Sequence, residues 1–549
     1  MNHPRARALA LGLLGWALSS AAAPGSFATR PESPAARAPT QEDGWTRLEP
    51  SADSRTLYVS RSTGDDDKDG LSEGNPKRTI AAAKRLLRDG FPDRLLLKKG
   101  DAWDESLGNW SLSGRSASER MVVGSYGSGA ERPLLRTGTN DGLDAFPGSR
   151  NDFTAVIGLH FRADKYTGSR AQPRGVQLLG EVRDFLIEDC FIEGYETNLV
   201  VQGASEYPGP KGRHKNIAIR RCVIVDAYNT GTSNSEGIFA SGTDGLLLEE
   251  NVFDRNGWRD DVKGSEPTWY RHNIYIQNLN TDVVVRGNIV ARTDGLHSRS
   301  GGLVEDNLVL RNALGMVLGG GGFPAIEEAG VELVARRNVV LDGGDLQEGS
   351  PRGWGMHLSN LKKAVVDSNV IAHNTSGHAP FAVIFDVAND GRGVEKAVFS
   401  NNVICDWGGP TRFAGPSPGK FDVLLEKNRF QNELTKDPLF QHEPAVGTEG
   451  VRSAGNLFHS IAEPKAWMQL GGPISLQDWR ERVRDSTSSA QRASFPDASR
   501  TIASYQASIG GAPSLDAFML EARKQSRSSW RPQYTARAVG EYIRAGFGL

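Results

Sequence analysis

A short apolar alternation ending in asparagine recurs along most of this chain, and no other feature constrains the fold as much. It reads LLLEENVF over 246–253, VVVRGNIV over 283–290 and LVEDNLV over 303–309, placing asparagine at Asn251, Asn288 and Asn307. The pattern returns around Asn338, Asn369, Asn402 and Asn428. Apolar residues at every second position mark half-buried strands and not helices. Repeated units of this kind form a solenoid, in which each unit buries its apolar face against its neighbours. The leucine spacing does not fit a leucine-rich repeat, and the valine and isoleucine content favours strands. The expected fold is therefore all-β, a right-handed parallel β-helix. Asparagine suits a fixed turn because it tolerates unusual backbone angles and its amide can bond the matching turn of the next coil. Cys190 and Cys222 hold the same slot in the two preceding repeats. Strands in adjacent coils lie about 4.8 Å apart, a separation a disulfide can span. A bond between them and a pair of stacked thiols both stay open.

The rest of the chain is organised around this repeat. Arg5 and Arg7, the apolar run from Ala8 to Leu18 and the small residues Ser20 to Ala23 read as an export signal over 1–23. Residues 24–54 are rich in Pro, Ala and Ser and read as a flexible leader. The β-helix spans 55–465, opened by a capping helix near Thr79. Residues 466–549 are expected to form a helical C-terminal cap, with Ser475 and Asp478 starting one helix. No later segment is long and apolar enough to span a membrane, so a secreted or periplasmic protein without membrane insertion is expected. The chain carries 64 basic and 66 acidic residues, so its net charge gives no argument for nucleic acid. Three cysteines exclude a disulfide scaffold and a cysteine-based zinc site. Asp65, Asp67, Asp69 and Gly70 match the start of an EF-hand loop, but Pro76 stands where the bidentate Glu belongs, so a solvated turn is the better reading.

The opening YVS at 58–60, DGLS at 69–72, Pro76 and Thr79-Ile80, with GSYG at 124–127 before Arg132-Pro133, resembles the start of secreted β-helix proteins of the pectate-lyase-like superfamily. That resemblance covers about 57–465. It implies a polysaccharide-modifying enzyme, as in the β-helix lyases and alginate epimerases, and a capped first coil. Lyases of this fold often use calcium. The epimerases carry a DPHD turn where this chain has Asp294-Gly-Leu-His297. The galacturonase-type hydrolases carry an Asp cluster on adjacent coils that this chain lacks.

A second strand precedes each asparagine strand, and aligning these strands by apolar positions gives a surface map. One outward row runs Phe239, Tyr275, His297, Val317, His357. The next contains Gln277 and Arg299, and Glu236, His272 and Asp294 stand just before their strands. Residues 257–271 form an insertion carrying Trp258, Lys263 and Trp269, of the kind that lines binding clefts on solenoids. Proton abstraction beside a carboxylate needs a base and a cation for the developing enolate. His272 or His297 is the candidate base, Tyr275 the acid and Arg299 the carboxylate clamp. Glu236, Lys263, Trp258, Trp269, Gln277 and Asp294 are the candidate substrate contacts. No metal ligand set and no cofactor are expected, calcium being the one alternative. The expected function is a lyase acting as a monomer on an acidic polysaccharide by β-elimination. Glycoside hydrolysis is the first alternative, since Glu236 and Asp294 lie two coils, about 9.6 Å, apart, near the upper end of the inverting range. Uronate epimerisation and a non-catalytic adhesin are the others.

Overall fold

In the computed structural model, the described residues are 44–549 without 147–150, 204–211, 278, 321–329, 346–351, 375–379, 388–391 and 416–419. All belong to one compact unit, 33–549. The export signal and most of the leader lie outside the described residues. After the opening pair Thr56–Val59 and Arg94–Lys98, strands wind through three sheets in rotation, so that a strand pairs with the strand three elements later, parallel to it. We name the sheets A, B and C in the order the chain visits them. Sheets A and C have 14 strands each and sheet B has 13. Among the described residues the one antiparallel strand pair closes sheet C, where Met468–Leu470 meets Pro473–Ile474. The fold is a right-handed parallel β-helix.

One coil shows how the sequence dictates the turns. Thr243–Glu249 lies in sheet A, Val252–Asp254 in sheet B and Arg271–Ile276 in sheet C. Between sheets A and B the backbone turns at Glu250, with φ +54°, and Asn251 follows. Asp306, Arg337, Ser368, Asn401 and Lys427 hold the same left-handed angle before their asparagines. The unusual angle thus falls one residue earlier than expected. Asparagine is kept for its amide. Asn251 donates its backbone N–H and its Nδ2 to Asn288 Oδ1, both at 3.0 Å. The ladder continues through Asn307, Asn338, Asn369, Asn402 and Asn428 to Asn456. Cys190 and Cys222 are free, buried thiols. Cys190 N–H donates to Cys222 Sγ at 3.4 Å, so sulfur fills the place of the amide oxygen.

A second column stacks beside the ladder on sheet A. Glu188, Arg220, Glu249, Arg286, Glu305, Arg336 and Asp367 occupy one register position on seven successive coils, alternating in sign. Arg220 bonds Glu188 at 2.9 Å and Glu249 at 2.5 Å, and Arg336 bonds Glu305 at 2.8 Å.

Both ends and one flank of the solenoid are covered. Thr79 caps the helix Ile80–Lys84, whose Ile80 and Ala83 cover the first coil. At the far end the helix Leu476–Arg482 inserts Trp479 against Phe440 and Phe458. The middle strands of sheet B, from Val223–Val225 to Val403–Cys405, carry apolar residues on their outer face as well, because helices Ile502–Ser508, Leu515–Ala522 and Ala536–Gly546 pack on that side. The buried Asp254 fixes this flank by bonding Arg292 and Arg523. Residues 44–54, which composition assigns to the leader, begin as a strap on sheet A. Thr46 bonds Glu188 through its backbone N–H at 3.1 Å and its hydroxyl at 2.8 Å, and the Arg221 guanidinium sits between Trp45 and Trp530. Among the described residues, no helix is long and apolar enough to cross a membrane.

Candidate functional site

Sheet C carries the mapped patch. Register pairs Glu236 with His272 and Phe239 with Tyr275, then Tyr275 with His297, Val317 and His357 in turn. Asn273 N–H donates to Asp294 O at 2.8 Å, which sets Asp294 beside His272 on the following coil. The strand start is held by a second amide ladder absent from the sequence reading. Asn198, Asn256, Asn273 and Asn312 bond in series, and Asn273 immediately follows His272. Its signal was present in the asparagines that open the sheet C strands at 198 and 273.

Asp294 is the hub of the patch. His272 Nδ1 lies 3.0 Å from Asp294 Oδ2, and His297 Nε2 lies 3.2 Å from Asp294 Oδ1. Gly295 N–H adds a third donor to Oδ1 at 3.0 Å. Burial works against the Asp294 carboxylate, but the imidazoles of His297 and His272 outweigh it and hold the group below the usual carboxylate range. Burial pushes His297 down to about 4, with Asp294 pulling the other way. His297 is therefore neutral at pH 7 and donates Nε2–H to Asp294. Its buried Nδ1 has no hydrogen-bond partner among the described residues. The other ring nitrogen of His272, Nε2, is the one not engaged with Asp294 in that contact. The Tyr275 ring stacks on His272 at 4.8 Å and 14°, and the Arg299 guanidinium lies 5.3 Å from the Tyr275 centroid. Glu236 accepts from Thr197 Oγ1 at 3.0 Å, and burial raises its carboxyl to about 7 against the pull of His272 and Thr197.

The structure brings together Glu236, His272, Tyr275, Asp294, His297 and Arg299, and leaves Gln277 half-buried just past the strand Arg271–Ile276. The insertion divides its residues. Trp269 is 48% exposed, and one face of its ring carries the Arg352 guanidinium at 3.6 Å. Arg352 also lies over Trp354, 4.6 Å from its centroid, on the row of Asp294 two coils further on. The buried Arg271 ties the insertion down by bonding the carbonyls of Glu266 and Gly231. Trp258 is half-buried beside the bridge between Gly257 and Tyr228. Lys263 stands exposed next to Gly264, which faces Thr230, and makes no hydrogen bond or ion pair among the described residues.

His272, Asp294 and His297 have ligand atoms within 4.8 Å of one another, a spacing that suits a divalent transition metal. Both carboxylate oxygens already accept N–H donors, so the trio is complete as a hydrogen-bonded unit. It offers calcium one carboxylate against two nitrogens, a poor match for an oxygen-seeking ion.

No family model matches the chain, and no curated protein does. Solved structures align over much of its length at low identity. XylC in complex with xylose is 10% identical, covering 81% of this chain and 88% of its own, with a TM-score of 0.45. Pectate lyase Pel9A is 11% identical, with 82% and 84% covered and a TM-score of 0.33. The Azotobacter vinelandii mannuronan C-5 epimerase AlgE6 A-module is 12% identical, with 73% and 91% covered and a TM-score of 0.35. Likeness at this level leaves the chemistry to the residues themselves.

Proposed function

We propose that this protein is a secreted, monomeric polysaccharide lyase that cleaves a uronic-acid-containing chain by β-elimination. The observation that carries the reading is the Asp294–His272 pair. A buried carboxylate holds one imidazole nitrogen, so the other is a fixed acceptor, with a phenol stacked on the ring and a guanidinium beyond it. His272 Nε2 takes the proton from the carbon next to the substrate carboxylate. Arg299 neutralises the charge that develops on that carboxylate. The electron pair then forms a carbon–carbon double bond, the bond to the glycosidic oxygen breaks, and Tyr275 protonates the departing oxygen. Solvent returns a proton to the phenolate, and the proton on His272 leaves to water. His297, enclosed and neutral, positions Asp294 and does not act as the base. Trp269 offers its open face to a sugar ring.

One observation favours glycoside hydrolysis as a second reading. Glu236, raised to about 7, has the acidity a general acid needs near neutral pH. The test is the purified protein on a panel of acidic polysaccharides, following ultraviolet absorbance of unsaturated uronates together with new reducing ends. Both signals rising together supports elimination. Reducing ends without unsaturation make Glu236 the acid of a hydrolase. Inverted uronate stereochemistry without cleavage indicates an epimerase, and no change on any substrate an adhesin.

A further inference from the structure

Away from sheet C, a groove of about 450 Å³ opens on the outer face of sheet A near the first coils. This size lies within the range of small-ligand sites. Its floor is the outward row Leu96, Gly124 and Ile157. One side is the strap at 46–49 and the other is the segment 526–528. Arg47, Arg94, Lys99, Arg132 and Arg527 line it, against only two acids, Glu49 and Asp189.

Both acids are already engaged. Asp189 Oδ1 accepts from Arg132 Nη2 at 2.6 Å and from the Arg527 backbone N–H at 2.9 Å, and Glu49 Oε1 is held by Arg47 Nε at 2.7 Å. Among the described residues Arg94 hydrogen-bonds only the Leu48 carbonyl, at 2.9 Å, a neutral acceptor, with the carboxylate of Glu49 acting on it through space alone. Burial makes that charge costly, as the lowering of its pKa records. Lys99, half-buried in the turn just after the same strand, has no hydrogen bond or ion pair through its ammonium among the described residues. The strand runs Arg94–Lys98 and Lys99 follows it, so the backbones of the two residues stand roughly 16 Å apart along the chain. The space between them is floored by a glycine and two aliphatic side chains. A flat apolar floor with a cation at each end matches a short run of sugar rings bearing acidic groups.

We infer that this groove is a second, non-catalytic binding site for an anionic saccharide segment, anchored by Arg94 and Lys99. It is separate from the sheet C patch, so it would hold the polymer while the patch acts on another stretch. The inference rests on the proposed substrate class but not on the proposed chemistry.

The test is calorimetry on the full chain carrying His272→Ala, titrated with uronate tetrasaccharides of the galacturonate and mannuronate types. Two sites per chain are expected for one of them. Adding Lys99→Glu should weaken one site by about tenfold and leave the other unchanged. Arg94→Gln should act the same way, and unchanged thermal unfolding of the Lys99 variant establishes that the fold is kept. In the chain with His272 intact, Lys99→Glu should leave turnover of a short oligosaccharide unaltered. Lys99-sensitive binding that persists without any lyase activity would keep the groove and discard the chemistry. No Lys99-sensitive binding of either tetrasaccharide overturns the inference. So does inorganic sulfate binding as tightly as the sugars, which would leave a simple anion site.

Discussion

His272 and His357 make the residue scale testable, because both imidazoles face out of sheet C and only one is tied to the hub. His357 bonds Asp386 at 3.2 Å, away from Asp294. His272→Ala should lower turnover by about 10²–10⁴-fold with the melting temperature kept, while His357→Ala should stay within about twofold of the parent. Equal losses in the two variants would remove His272 from the base role. Chelation separates the metal readings at the same residues. Activity is expected to survive EDTA, with Arg299 supplying the positive charge. Loss of activity that zinc restores would make His272, Asp294 and His297 a metal centre. Restoration by calcium would instead bring in the insertion acids Asp260, Asp261 and Glu266.

Glu236 adds a pH signature in stability. Its folded value of about 7 lies above the ordinary 4.5, so the folded state holds a proton that the unfolded chain has released between those values. The stabilisation it gives is full below pH 4.5 and is lost as pH rises through 7. His297 has the opposite sign. Its value of about 4 lies below the ordinary 6.5, so its contribution grows as pH rises from 4 to 6.5. The two slopes largely offset in the native chain. Glu236→Gln removes the falling limb, so its melting temperature should climb from pH 4.5 to 6.5 and exceed that of the parent at pH 8. Parallel profiles for the two proteins would mean that Glu236 is ionised in the fold.

At the scale of elements, the insertion is a clasp. Arg352 lies between Trp269 and Trp354, and cation–π contacts of this kind are worth about 0.5–2 kcal/mol each. Arg352→Ala should free the end of the insertion and raise KM several-fold for long substrates with kcat little changed. A drop in kcat alone would place Arg352 in the chemistry. The strand rows were legible in the sequence because a period of two forces alternate residues outward, which put Tyr275, His297 and Arg299 on one surface. The clasp was not legible. Trp269 and Arg352 sit on different coils, and spacing along the chain says nothing about how an insertion folds back. The turn was half legible: the asparagine slot was visible, but the left-handed residue before it has no shared identity, being Glu, Asp, Arg, Ser, Asn or Lys. The strap at 44–49 was hidden in a Pro- and Ser-rich stretch, because its partners Glu188 and Arg221 come much later in the chain.

For the whole molecule, stability is distributed coil by coil, and the asparagine ladder links the coils from Asn251 to Asn456. Asn338 donates to Asn369 and Val304 O, and accepts from Asn307. Asn338→Ala would leave buried donors and acceptors unpaired at about 1–3 kcal/mol. The variant should melt several degrees lower, and Asn338→Asp should not rescue it, because a carboxylate cannot donate to Val304. A melting temperature equal to the parent's would show that the ladder is dispensable.

The charge column on sheet A restricts how a chain like this can change length. Glu188, Arg220, Glu249, Arg286, Glu305, Arg336 and Asp367 alternate one per coil, so the column carries a parity. Excising the single coil that holds Arg286 would bring Glu249 against Glu305, two carboxylates at one strand spacing in a partly buried row. Excising two coils, those of Arg286 and Glu305, would bring Glu249 against Arg336 and restore the alternation. Within this stretch, gain or loss of coils in pairs keeps the column intact, whereas an odd step needs a compensating charge reversal.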